Sequence, residues 1–115
     1  MTGSPKFVSS RNFEVWSYTV SHGQLLIRSN ATVELPTRLE ILFKNVSYMR
    51  IPVIFEGLEV YEAEKPRGSE VLIGGQWFRL KFEGGEGYIG AGAFVTGEDQ
   101  LPYHQPSLLL RGPHL

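Results

Sequence analysis

The sequence predicts an all-β protein: a small antiparallel β-sandwich or flattened barrel of about eight short strands, followed by an extended C-terminal tail. Three observations carry this. Apolar residues recur in twos, as in Phe13-Glu14-Val15-Trp16-Ser17-Tyr18-Thr19-Val20 and Trp77-Phe78-Arg79-Leu80-Lys81-Phe82, the period of a half-buried strand. Turn residues separate these runs roughly every eight to twelve positions, the spacing of sandwiches and small barrels. No segment has a helical period. The nearest, Glu98 to Leu109, contains Pro102 and Pro106, each of which breaks a helix interior.

The elements follow in order. Residues 1–11 are polar and small, and are expected to be a flexible N-terminal segment. The first strand runs from Phe13 to Val20. Ser21-His22-Gly23-Gln24 reads as a tight turn, since glycine and, less often, histidine accept a positive φ. A two-residue loop would set Val20 opposite Leu25 and Tyr18 opposite Ile27. In Gln24 to Arg28, the continuous Leu25-Leu26-Ile27 suggests a strand covered on both faces. Ser29 to Pro36 is a loop. Arg38 to Lys44 alternates, with Leu39, Ile41 and Phe43 on one face.

Tyr48 to Phe55 is a further strand, which Pro52 breaks or pushes to an edge. Gly57 to Glu62 follows, with Leu58 and Val60 inward. Glu70–Ile73, Gly74-Gly75 and Gln76–Glu83 form a hairpin. Gly84-Gly85-Glu86-Gly87 is a mobile connection. Tyr88 to Val95 is the last strand, and an aromatic such as Trp77 or Trp16 is expected to cover its Gly90-Ala91-Gly92 stretch. Residues 97–115 are the tail. Its Leu108-Leu109-Leu110 needs burial on the body or on a neighbour.

At 115 residues the chain fits one domain, 1–115, that buries about 65% of its unfolded surface. The absence of cysteine excludes disulfides and thiolate metal sites. The net charge of −1 lacks the basic excess that phosphate contacts demand, so no nucleic acid is expected. No apolar run approaches the ~20 residues of a membrane span. Met1–Ser10 holds one lysine and no apolar segment, so no signal peptide and a cytoplasmic location are expected.

Sites for chemistry are few. His22 is the candidate acid or base, with Glu14, Glu40 or Asp99 brought near by folding, although a turn histidine chosen for its backbone tolerance is the commoner reading of such a position. Glu56, Glu59, Glu62 and Glu64 read as a solvated face, with Glu59 pointing opposite to Glu56 and Glu62. No His-x-His pair or calcium-type loop occurs, so no metal and no cofactor are expected. The glycines at 84–87 and 90–92 lack the following helix of a phosphate cradle. Trp16, Tyr18, Trp77 and Tyr88 are candidate ligand-binding aromatics; Trp16 and Tyr18 are expected on one face of their strand, Phe13 and Val15 on the other.

These features lead to three readings. The first is a non-enzymatic binding or protein-interaction module that self-associates as a homodimer, with Leu108, Leu109 and Leu110 at the interface. The second is a small enzyme or ligand-binding protein with a pocket between sheets, using His22 as acid or base. The third is a sugar-binding module using surface aromatics.

Overall fold

A computed structural model describes residues 3–65 and 75–110. The described residues form eight strands: β1 (Phe7–Thr19), β2 (Gln24–Ser29), β3 (Arg38–Lys44), β4 (Tyr48–Arg50), β5 (Ile54–Ala63), β6 (Gln76–Phe82), β7 (Gly85–Ala91) and β8 (Ala93–Asp99). All pair antiparallel in one sheet of order β4-β7-β6-β5-β1-β2-β3-β8. The fold is all-β, as expected, but its layers come from one curled sheet rather than two separate ones. The expected strand Glu70–Ile73, its turn residue Gly74, and His114 lie outside the described residues.

The sheet does not close into a barrel by pairing; chain continuity joins its two ends. Lys44 pairs with Ala93 and Tyr48 with Gly90, so β3–β4 and β7–β8 are one ribbon turning a corner with one extra residue on the first side. That corner holds Asn45 at φ 55, the only positive-φ non-glycine among the described residues. Gly92 N–H donates to Lys44 O, and Ser47 N–H to Gly90 O, both at 2.8 Å. The expected strand Tyr88–Val95 is therefore split at Gly92. Pro52 ends the other expected strand, leaving β4 as a short strand at one end of the sheet, consistent with proline's missing N–H.

Curling lets side chains from distant strands meet. Phe43 of β3 lies 5.6 Å from Phe78 of β6, and Phe78 lies 5.4 Å from Phe94 of β8. Around them Phe13, Leu25, Ile27, Ile41, Phe55, Leu58, Val60, Leu80 and Ile89 complete the core. Burial of this kind, at roughly 25 cal/mol per Å² of apolar surface, is the main favourable term of the fold.

Several registers differ from the alternation read in the sequence. β1 begins at Phe7, because Phe7, Val8 and Ser9 pair with Val60, Glu59 and Leu58, and Lys6 N–H donates to Val60 O at 2.7 Å. Residues 7–11 are thus strand rather than a frayed end; a ladder uses backbone groups, so polar side chains hid it. The first turn holds four residues. Thr19 pairs with Gln24 and Tyr18 with Leu25, around a 3-10 turn at Val20–His22 that Gly23 closes at φ 59. Val15, not Tyr18, is opposite Ile27: the longer turn slides the register by two, and a bulge between Val15 and Ser17 adds one more. The bulge parts Trp16 from Tyr18, which sits opposite a core leucine.

In β5, Gly57 at φ 73 inserts another irregularity, so Phe55 and Leu58 both reach the core. Glu56 and Glu59 then share one groove of about 460 Å³ with Lys81, which corrects the expected opposition. The connection at 84–87 is no mobile loop. Phe82 pairs with Gly85, leaving a two-residue turn, Glu83-Gly84, with Gly84 at φ 87.

Candidate functional site

The expected catalytic residues are scattered. His22 is exposed at the tip of the first turn. Glu14 lies mid-strand, paired with Arg28 and Ile54, and takes a 3.4 Å hydrogen bond from Asn30 Nδ2. Asp99 ends β8 in a salt bridge with Arg38. No group of three His, Cys, Asp or Glu that could hold a metal ion occurs among the described residues. None of the described helices is long and apolar enough to cross a membrane.

The aromatics are mostly engaged within the fold. Trp77 is only 7% exposed. It pairs with Gly90, as does Tyr48 from the other side, and the two rings meet at 5.2 Å. Large rings closing over a strand glycine restore the packing that glycine lacks, as expected at Gly90, whereas Gly92 faces Asn45 and not an aromatic. Tyr88 has the Arg50 guanidinium 5.8 Å from its ring, and Trp16 has that of Arg28 at 4.3 Å. Tyr61 donates to Glu59 Oε1 at 2.5 Å. That bond to a carboxylate, followed by burial, raises its pKa above the ordinary 10.0.

The densest polar cluster lies where the sequence promised only strand. In β2 and β3 the continuous runs Leu25-Leu26-Ile27 and Ile41-Leu42-Phe43 are buried throughout, so both faces are covered, as anticipated for β2. Alternation puts Leu26, Arg28, Arg38, Glu40 and Leu42 on the face away from the core. Register supplies the charge pairing: Arg28 is opposite Glu40 and Arg38 is opposite Asp99. Opposite charges directly across a ladder attract.

The chain's own C-terminal segment covers this face, its 3-10 turn Leu108–Leu110 packing on β3 and β8. Arg38 is 0% exposed. Its Nε donates to Asp99 Oδ1 at 3.0 Å and its Nη2 to Asp99 Oδ2 at 3.1 Å, a two-pronged pair. Its Nη1 donates to Pro102 O at 3.1 Å and Gln105 O at 2.6 Å, and its Nη2 to Pro106 O at 3.1 Å. A guanidinium has five N–H donors, and here each has an acceptor. Three of those acceptors are backbone carbonyls of the segment.

Arg28 repeats the scheme. Its Nε donates to Glu40 Oε2 at 2.6 Å and its Nη1 to Tyr103 O at 2.8 Å. Ser107 Oγ donates to the second oxygen of Glu40 at 2.7 Å and accepts from Leu109 N–H at 3.0 Å. Leu109 then lies on Gly97, where a Cβ would stand 2.9 Å from its Cδ2. Leu101 N–H donates to Asp99 Oδ1 at 2.9 Å. Two arginines and two carboxylates cancel in charge, so the cluster presents donors to a neutral backbone with no net charge.

Of the three leucines expected at an interface, Leu109 and Leu110 are half-buried against the body and Leu108 is 44% exposed. Compared with family models, curated proteins and solved structures, the chain matches none.

Proposed function

We propose that the protein is a non-enzymatic interaction module that self-associates through its seated C-terminal segment. The observation that supports this is the arginine clamp. Arg28 and Arg38 hold four carbonyls of residues 102–106, and Leu109 anchors on Gly97. Leu108 is thereby presented outward on a fixed backbone. Val95, two residues from Gly97 on the same face, is 38% exposed. An apolar side chain held rigidly at the surface loses little further freedom on association, and a twofold contact would use the same patch on both copies.

Sedimentation equilibrium of the full chain tests this, comparing wild type with Leu108→Asp. The expected result is a dimer mass for wild type and a monomer mass for the variant, with far-ultraviolet circular dichroism spectra that agree. A monomer at all concentrations for wild type, or a dimer untouched by the substitution, refutes it.

A further inference from the structure

The geometry points to a second binding property: the face under the C-terminal segment is a receptor groove for a proline-containing peptide folded into a turn, with residues 101–110 as its resident, autoinhibitory occupant. The contact pattern carries this. The side chains of Pro102, Tyr103, His104, Gln105 and Pro106 are all exposed, while their carbonyls, His104 excepted, accept from buried arginines. The groove therefore reads main chain at these positions and is indifferent to most of the side chains.

Discrimination enters at three points. Prolines at 102 and 106 have a fixed φ and no N–H to leave unmet, and Gln105 N–H closes a turn onto Pro102 O at 3.0 Å. A hydroxyl must reach Glu40, which Ser107 does. A leucine two residues later must fill the space over Gly97. The peptide chemistry that fits is thus Pro-x-x-x-Pro-Ser-x-Leu, neutral overall because the four charges of the groove cancel. Carbonyls held by arginine are also exchangeable, since water can take their place while the segment leaves. The groove reads backbone whether or not Leu108 meets a second copy.

A tethered occupant competes at an effective concentration on the order of mM, so an outside peptide binds the intact chain weakly. Loosening the resident segment raises apparent affinity. The test uses the full chain and a fluorescent synthetic peptide spanning Gln100 to Leu110. Leu109→Ala in the protein, which leaves the groove intact, is expected to tighten peptide binding about tenfold over wild type, the effect of losing roughly 1.4 kcal/mol of resident contact. Binding is expected to give an intermolecular nuclear Overhauser contact between the peptide's Leu109 methyls and Gly97 of the protein, and to weaken when the peptide carries Ser107→Ala. If Leu109→Ala fails to fold, Ser107→Ala in the protein replaces it. A folded variant with a released tail that binds no peptide, or binding without contact between the peptide and Gly97, overturns the proposal.

Discussion

Arg38→Lys tests the clamp at its centre. The arginine makes five hydrogen bonds, two to Asp99 and three to carbonyls of the C-terminal segment. Lysine keeps the charge but offers three N–H donors from one nitrogen, so two bonds are lost at best. Each hydrogen bond to a charged group is worth about 1.5–3 kcal/mol. The released carbonyls belong to a terminal segment that water can reach, which offsets part of the loss, and the expected destabilisation is about 3 kcal/mol. For a domain with roughly 5–15 kcal/mol in hand the chain stays folded. Urea unfolding reads this as a midpoint about 2 M lower, at a slope of roughly 1.5 kcal/mol per M. A midpoint within about 0.3 M of wild type would mean that the clamp contributes nothing, and the reasoning about buried donors would fail.

Two further predictions follow from separate parts of the molecule. A Cβ at Gly87 would run into the carbonyl oxygen of Arg50, a backbone atom that cannot rotate aside. Gly87→Ala is expected to cost about 1–3 kcal/mol, seen as a melting temperature several degrees lower, whereas Gly97→Ala meets only the end of Leu109 and shifts it less; equal shifts contradict this. Tyr61 titrates above 10.0 in the folded protein because its hydroxyl donates to the Glu59 carboxylate. A raised folded pKa means that its contribution to stability is complete below pH 10 and fades as pH rises through the folded value. Ultraviolet titration of Glu59→Gln should show one tyrosine moving down towards 10, and an unchanged curve refutes the bond.

Much of the fold was legible because its strands keep period two between irregularities. Arg38 to Lys44 alternates cleanly, and its inward set, Leu39, Ile41 and Phe43, packs in or against the core. Reading failed at the bulges. Trp16 is an extra residue in β1, and Gly57 at φ 73 breaks the alternation of β5; each reverses the faces beyond it, and a bulge in β1 leaves no mark in side-chain chemistry. The start of β1 was missed for a related reason: Ser9, Ser10 and Arg11 look like a frayed end, and what holds them is distant in sequence, the pairing of Ser9 with Leu58 and the bonds of Arg11 to Thr37 and Glu98.

The candidate site was half visible. Leucines between prolines at the end of the chain required a place to pack, and the unbroken apolar run in β2 announced a covered outer face. Joining these two signals would have singled out Arg28, Arg38 and Glu40 as the polar residues facing that cover. The hydrogen bonds themselves were beyond reach, because they go to carbonyls, which every residue carries.

The most direct measurement is the nuclear Overhauser contact between the Leu109 methyl protons and the Gly97 α-protons in the full chain. A segment clamped by Arg28 and Arg38 onto the outer face of β3 and β8 gives a strong contact and dispersed shifts for residues 101–110. No contact, with those residues at random-coil shifts, would contradict the clamp.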